Sequence, residues 1–180
     1  MKELTGVISA AQAAVERALS RVRSQLLQGD LGDMERVVQA ALRPVGAAMV
    51  EAAVAVRSQR EGDASSACAG YGRRRRLVAR GRPRHLQGLV GDYCLRRPYY
   101  HCRRCKEGAT PLDAVLGVGP EYCSPGVASV VCRLGIETSF AQAVALVEAT
   151  VGIGVDDATA RRLVERMGAI AERAQARRQG

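Results

Sequence analysis

From Leu4 to Val56 the apolar residues recur in steps of three and four. Leu4, Ile8, Ala11, Val15, Ala18, Val22 and Leu26 form one set, and Met34, Val38, Ala41, Val45, Met49, Ala52 and Val56 form a second. That rhythm draws a narrow stripe along a helix, the kind by which helices pack side by side. Two helices are therefore expected, folded back on each other across "GDLGD". Asp33 suits the N-cap of the second, where a carboxylate accepts from an exposed backbone amide. Pro44 should kink or loosen that helix, since it has no N–H to give. A hairpin packed on itself accounts for the stripe; a dimerisation arm would use the same residues. The rhythm stops at "SQREGDASSACAG", where Gly, Ser, Asp and Ala cluster without period, and a linker boundary is expected near Ser65.

The chain changes character between Cys68 and about Gly108. Tyr93, Leu95 and the Tyr99–Tyr100 pair favour strands, and Gly and Pro punctuate them. The expected element is a β-hairpin turning near Val90–Gly91, with Asp92 to His101 as its second strand. Helical signals return from Pro111. Ser124 before Pro125 reads as an N-cap followed by proline in the first turn, with Val127, Val130, Val131 and Leu134 as its stripe. Ser139 and Gln142 make a capping box ahead of Phe140, Ala143, Val144, Val147 and Val151. After the turn "VGIGV", Asp156 caps a last helix whose expected core face is Ala160, Leu163, Val164, Met167 and Ile170. The fold class is thus mainly α with a small β-hairpin, in three parts: a helical hairpin (1–62), a degenerate zinc-ribbon-like hairpin (66–108) and a helix-turn-helix-like bundle (111–180).

Composition narrows the partner. The hydrophobic share of 47% supports a core, but aromatics are only 3%, so Ala, Val and Leu must fill it. The formal charge is +9, and all but Lys2 and Lys106 of the 27 basic residues are arginine. Such a chain calls for a polyanion, and double-stranded DNA is the expected partner. No export signal is evident, and no ~18-residue apolar run suggests a membrane span. Six cysteines without such a signal fit thiols in a reducing, cytoplasmic setting. G-x-S-x-G, Walker and H-E-x-x-H patterns are all missing, so the chain is not expected to be an enzyme.

The candidate chemistry concentrates in "RRPYYHCRRC". Cys102 and Cys105 have the C-x-x-C spacing that lets two thiolates grip one zinc ion. A second pair should precede the hairpin, and there Cys68 is followed three positions on by Tyr71 instead of cysteine. Cys94 lies eight residues upstream of Cys102, roughly 26 Å away along a strand, and His85 belongs to the opposite strand. Three ligands remain, Cys68, Cys102 and Cys105, so zinc should be held weakly or not at all. The candidate DNA contacts are Arg73, Arg74, Arg75, Arg76, Arg96, Arg97, Arg103 and Arg104 around the hairpin. Thr159, Arg161 and Arg162 join them at the start of the last helix, where a helix-turn-helix reads base edges. Asp156 and Asp157 set opposing charge beside them.

The order of these motifs resembles the N-terminal part of bacterial insertion-sequence transposases of the ISKra type. It rests on "LVGDY", "LRRPYYHCRRC", "PLDAVLG", "SPGVASVV", "SFAQAVALVEATVGIGV" and "TARRLVERMG", most specifically from Leu86 to Gly168. The resemblance implies a module that recognises the element's DNA ends, followed in the family by an RNase H-like catalytic domain. It also implies that Tyr71 replaces a knuckle cysteine and that Lys106 occupies a position usually held by glycine. Gly180 falls about where the catalytic domain would begin, so a truncated or decayed transposase without strand-transfer chemistry is expected. Two other readings use the same parts: a free-standing zinc-ribbon and helix-turn-helix transcription regulator, and a non-DNA interaction protein assembled through the N-terminal helices, which could also form a homodimer.

Overall fold

Two alanines set the first packing layer. On α1 (Lys2–Val22), Ala14 and Ala18 are buried against Val45 of α2 (Leu31–Glu61), with Ala41 and Ala48 beside them. Side chains this small let two helices approach closely, so the expected hairpin forms, but on a shifted seam. Leu4, Ile8 and Val15 were expected in the seam and are instead 63%, 55% and 39% exposed. They form a bulkier flank left outside because closest approach falls on the alanines. Leu26 lies past the end of α1, in turns. The computed structural model describes residues 2–61 and 67–179; the expected linker boundary near Ser65 lies outside the described residues.

The cap of α2 is Asp30, not Asp33. The Asp33 N–H donates to Asp30 Oδ1 at 2.9 Å, and the Asp30 N–H donates back to Asp33 Oδ2 at 3.1 Å. The helix then runs through Pro44 to Glu61. Contrary to the expectation, the Leu31–Arg60 stretch is long and apolar enough, by length and composition, to cross a membrane. Here it packs on α1 through Ala41, Val45 and Ala48, and Val50 and Val54 join the core that contains the sheet's Leu86 and Leu95.

That second contact merges two of the three expected parts. β1 (Arg76–Gly88), β2 (Gly91–His101) and β3 (Gly108–Ala109) form a small antiparallel sheet in that order. Leu86, Leu95 and Leu112 of α3 (Pro111–Val115) share one core with Val54. The turn falls where expected. Gly91 has φ 118°, and a Cβ there would sit 2.5 Å from the Arg43 carbonyl oxygen, so only glycine fits. β3 is an addition: after the C-x-x-C the chain reverses and pairs Ala109 with Tyr100 and Gly108 with His101. Helix pair and sheet therefore belong to one unit, Met1–Leu86 with Val90–Val118.

The second unit comprises Gln87–Leu89 and Gly119–Gly180. In it α4 (Pro125–Glu137), α5 (Phe140–Val151) and α6 (Asp157–Gln179) surround Val127, Val131, Val147, Ala160 and Leu163. Ser124 caps α4, and Ser139 and Gln142 form the capping box of α5, as the sequence implied. The turn between α5 and α6 is part of the core, because Ile153 and Val155 are buried in it. Met167 and Ile170 are corrected: they are 40% and 51% exposed. The 23 residues of α6 outrun the 13 of α4 and the 12 of α5, and residues 171–177 of α6 are all exposed.

Candidate metal centre and nucleic-acid interface

Two loops of the first unit have the same backbone wiring. The Cys68 N–H donates to the Arg73 carbonyl at 2.8 Å, and the Gly72 N–H donates to the Cys68 carbonyl at 2.7 Å. In the second loop the Cys102 N–H donates to the Glu107 carbonyl at 2.9 Å, and the Lys106 N–H to the Cys102 carbonyl at 3.0 Å. The fifth position is left-handed in both, with φ 64° at Gly72 and 61° at Lys106. That conformation favours glycine, so Lys106 carries the strain its position suggested. Tyr71 is thereby the positional counterpart of Cys105. Its side chain is 47% exposed, with the Arg104 guanidinium 4.8 Å from the ring centre.

The loops bring the thiols of Cys68, Cys102 and Cys105 within 4.8 Å of one another, and the Cys68 and Cys105 sulfurs are 3.7 Å apart. Zinc–sulfur bonds of about 2.3 Å in a tetrahedron place sulfurs about 3.8 Å apart, so this triangle can hold a metal ion. The backbone amides of Cys105 and Arg104 donate toward Cys102 and lower its thiol to about 7. At Cys105 the Glu107 amide pulls the same way, but burial and the neighbouring Cys102 and Cys68 thiols outweigh it, and Cys105 rises to about 11. One thiolate thus forms near neutral pH, and the next resists forming until a cation compensates it. Cys94 and His85 are not among the clustered ligands, and His101 Nε2 lies 3.0 Å from the Lys106 carbonyl oxygen. Burial first pushes the Cys123 thiol up to about 11 and also raises Cys132, which marks both as core side chains.

The expected DNA contacts divide by placement. Arg73, Arg74, Arg76, Arg96, Arg103 and Arg104 are exposed in the first unit, and Arg161 and Arg162 in the second. Arg75 is half-buried and donates to the Ala67 carbonyl at 2.7 Å, which ties it to the first knuckle. Two expectations are overturned. Arg97 is 4% exposed and ion-paired with Asp113 beneath the strand. Thr159 is fully buried, its Oγ1 donating to Asp156 Oδ2 at 2.7 Å. In both cases a polar residue on an expected outer face finds an acid, Asp113 of α3 for Arg97 and the helix's own cap Asp156 for Thr159, and turns inward.

Sequence reasoning missed Arg80 and Arg82. They continue an alternation, Arg76, Val78, Arg80, Arg82, Arg84, along β1, which is an edge of the sheet. A period of two in arginine was the signal. Arg82 stacks on Tyr99 with 4.2 Å to the ring centre, a contact worth about 0.5–1 kcal/mol that also holds the guanidinium flat. Arg84 lies 3.7 Å from Asp113, so the exposed part of the row is Arg76, Arg80 and Arg82. In the second unit Arg161 lies over the Phe140 ring at 5.6 Å, and Arg162 donates to Thr159 Oγ1 at 2.6 Å.

Asp156 does cap α6, accepting from the Thr159 amide at 2.8 Å and from the Tyr122 hydroxyl at 2.9 Å. The Thr159 hydroxyl, then its amide, then Tyr122 hold this carboxyl down at about 2, against an ordinary 3.8. Because the folded value is the lower one, the stabilisation is present above pH 4 and is lost as pH falls toward 2. Asp156→Asn keeps an acceptor without that titration. The expected result is that the unfolding midpoint of the parent drops faster than that of Asp156→Asn between pH 4 and 2; parallel curves would show that the cap carries no charge effect.

No family model, curated protein or solved structure matches this chain.

Proposed function

We propose that this chain is a DNA-binding module of the transposase-like kind, one that grips the ends of an insertion sequence without performing strand transfer. The observation that carries this reading is the arginine row of β1. Arg76, Arg80 and Arg82 lie exposed on an edge strand, with no carboxylate partner among the described residues. Alternate residues on a strand repeat at about 6.6 Å, a spacing at which neighbouring guanidinium groups can engage separate phosphates. Arg73, Arg74, Arg103 and Arg104 extend the positive surface over the two knuckle loops of the same unit. The ion we assign to the thiol triangle is zinc, and the compartment is the reducing cytoplasm, in which six free cysteines persist.

Base reading falls to α6, whose Arg161 and Arg162 are exposed in its first two turns. On a duplex selected from random sequence, Arg161→Ala or Arg162→Ala is expected to cost ~1–3 kcal/mol and to relax the preference. Arg82→Ala is expected to weaken all duplexes alike. If both α6 variants bind the selected site as the parent does, α6 is structural only. A selected site away from inverted repeats would point instead to a transcription regulator.

The interaction-protein reading has its own observation, the apolar flank of Ile8, Val15 and Met49 that lines one groove on the helical hairpin. Self-association that depends on this flank, together with no duplex binding at low salt, would favour it.

A further inference from the structure

The two knuckle loops match until the fourth ligand, where Tyr71 stands in place of a thiol. We propose that Glu107, two residues beyond the second knuckle cysteine, supplies the missing donor and completes a three-thiolate, one-carboxylate zinc site. This inference rests on the zinc reading above. Glu107 Oε2 lies 3.7 Å from Cys105 Sγ, the thiol donating to the carboxylate. With zinc–sulfur bonds of about 2.3 Å and zinc–oxygen bonds of about 2.1 Å, two ligands of one tetrahedron sit about 3.6 Å apart. The carboxylate stands at ligand spacing from one corner of the triangle, but it lies outside the cluster in which the three thiols are mutually within 4.8 Å, so it must swing inward to complete the tetrahedron.

The backbone of Glu107 is fixed, since its carbonyl accepts from the Cys102 N–H at 2.9 Å. Ligation therefore needs movement only of an exposed side chain with three rotatable bonds. Tyr71 does not compete for the position, because its ring is exposed and faces the Arg104 guanidinium at 4.8 Å. Binding displaces whatever protons the three thiols still hold, and Zn²⁺ is then held by three sulfurs and one carboxylate oxygen. The complex carries two net negative charges, and the flanking Arg73, Arg74, Arg103, Arg104 and Lys106 offset them.

The test is competition of the intact chain against a chromophoric zinc chelator, with the visible spectrum of the Co²⁺ form as a second readout. The parent should bind one zinc per chain. Glu107→Gln should weaken binding about tenfold or more and alter the Co²⁺ ligand-field bands. Tyr71→Cys added to Glu107→Gln should restore affinity and shift the bands toward those of four thiolates. A Glu107→Gln variant with parental affinity and parental bands would overturn the assignment of Glu107 while leaving zinc in place. A parent that takes up no zinc would overturn the zinc reading itself.

Discussion

Asp113→Ala is expected to destabilise the first unit by about 3–5 kcal/mol. Arg97 is 4% exposed, and its guanidinium is ion-paired with the Asp113 carboxylate. Removing the carboxylate leaves that cation inside the protein, with Arg84 as a second positive charge that had been 3.7 Å from the same oxygen. Arg97 Nε already has no hydrogen-bond partner, so little remains to compensate it. The desolvation cost of an orphaned charge, not the strength of the pair, sets this magnitude. Replacing both residues with Arg97→Met and Asp113→Leu should bring stability back to within about 1–2 kcal/mol of the parent, because two apolar groups need no partner. Urea unfolding followed by circular dichroism measures both variants. A midpoint unchanged in Asp113→Ala would mean that water reaches the Arg97 guanidinium.

That pair also shows where the sequence stopped being informative. In "LRRPYY", Arg96 and Arg97 are indistinguishable by composition and adjacent on a strand, so alternation places one on each face. Which face is covered depends on α3, whose Asp113 arrives sixteen residues later. Helices and caps were legible because their signals are local: the apolar rhythm of α1 and α2, Ser124 before Pro125, Ser139 with Gln142. The seam of the hairpin was not, because it depends on which side chains are small enough for close approach, and Ala14 and Ala18 fall partly outside the 3–4 series. The knuckle was legible through spacing, down to Tyr71, and Lys106 was singled out only by the family resemblance. Glu107 was overlooked because an acid next to a lysine in an exposed loop looks like ordinary surface charge. Three expected parts became two units because Val54 and Leu95 join one core, a contact between segments that no local pattern records.

The triple variant Arg76→Gln, Arg80→Gln, Arg82→Gln should lose most of its affinity for duplex DNA. Each phosphate neutralised by a cation contributes about −0.9 to the slope of log K against log salt. If each arginine holds one phosphate, the slope should become about 2.7 less steep, and affinity near 0.1 M salt should fall by about two to three decades. Glutamine keeps much of the aliphatic stem and the three sites are exposed, so helix content should not change. The loss should be the same for every duplex sequence, since phosphates carry no base information. A triple variant that binds like the parent would move the contact surface away from β1.

The central claim, that this arginine-rich chain is built to hold duplex DNA, is tested most directly by titrating a labelled duplex with the intact chain at several salt concentrations. The predicted result is tight binding at low salt that weakens along a straight, steep line of log K against log salt. Absent binding at low salt, or a flat line, would contradict it.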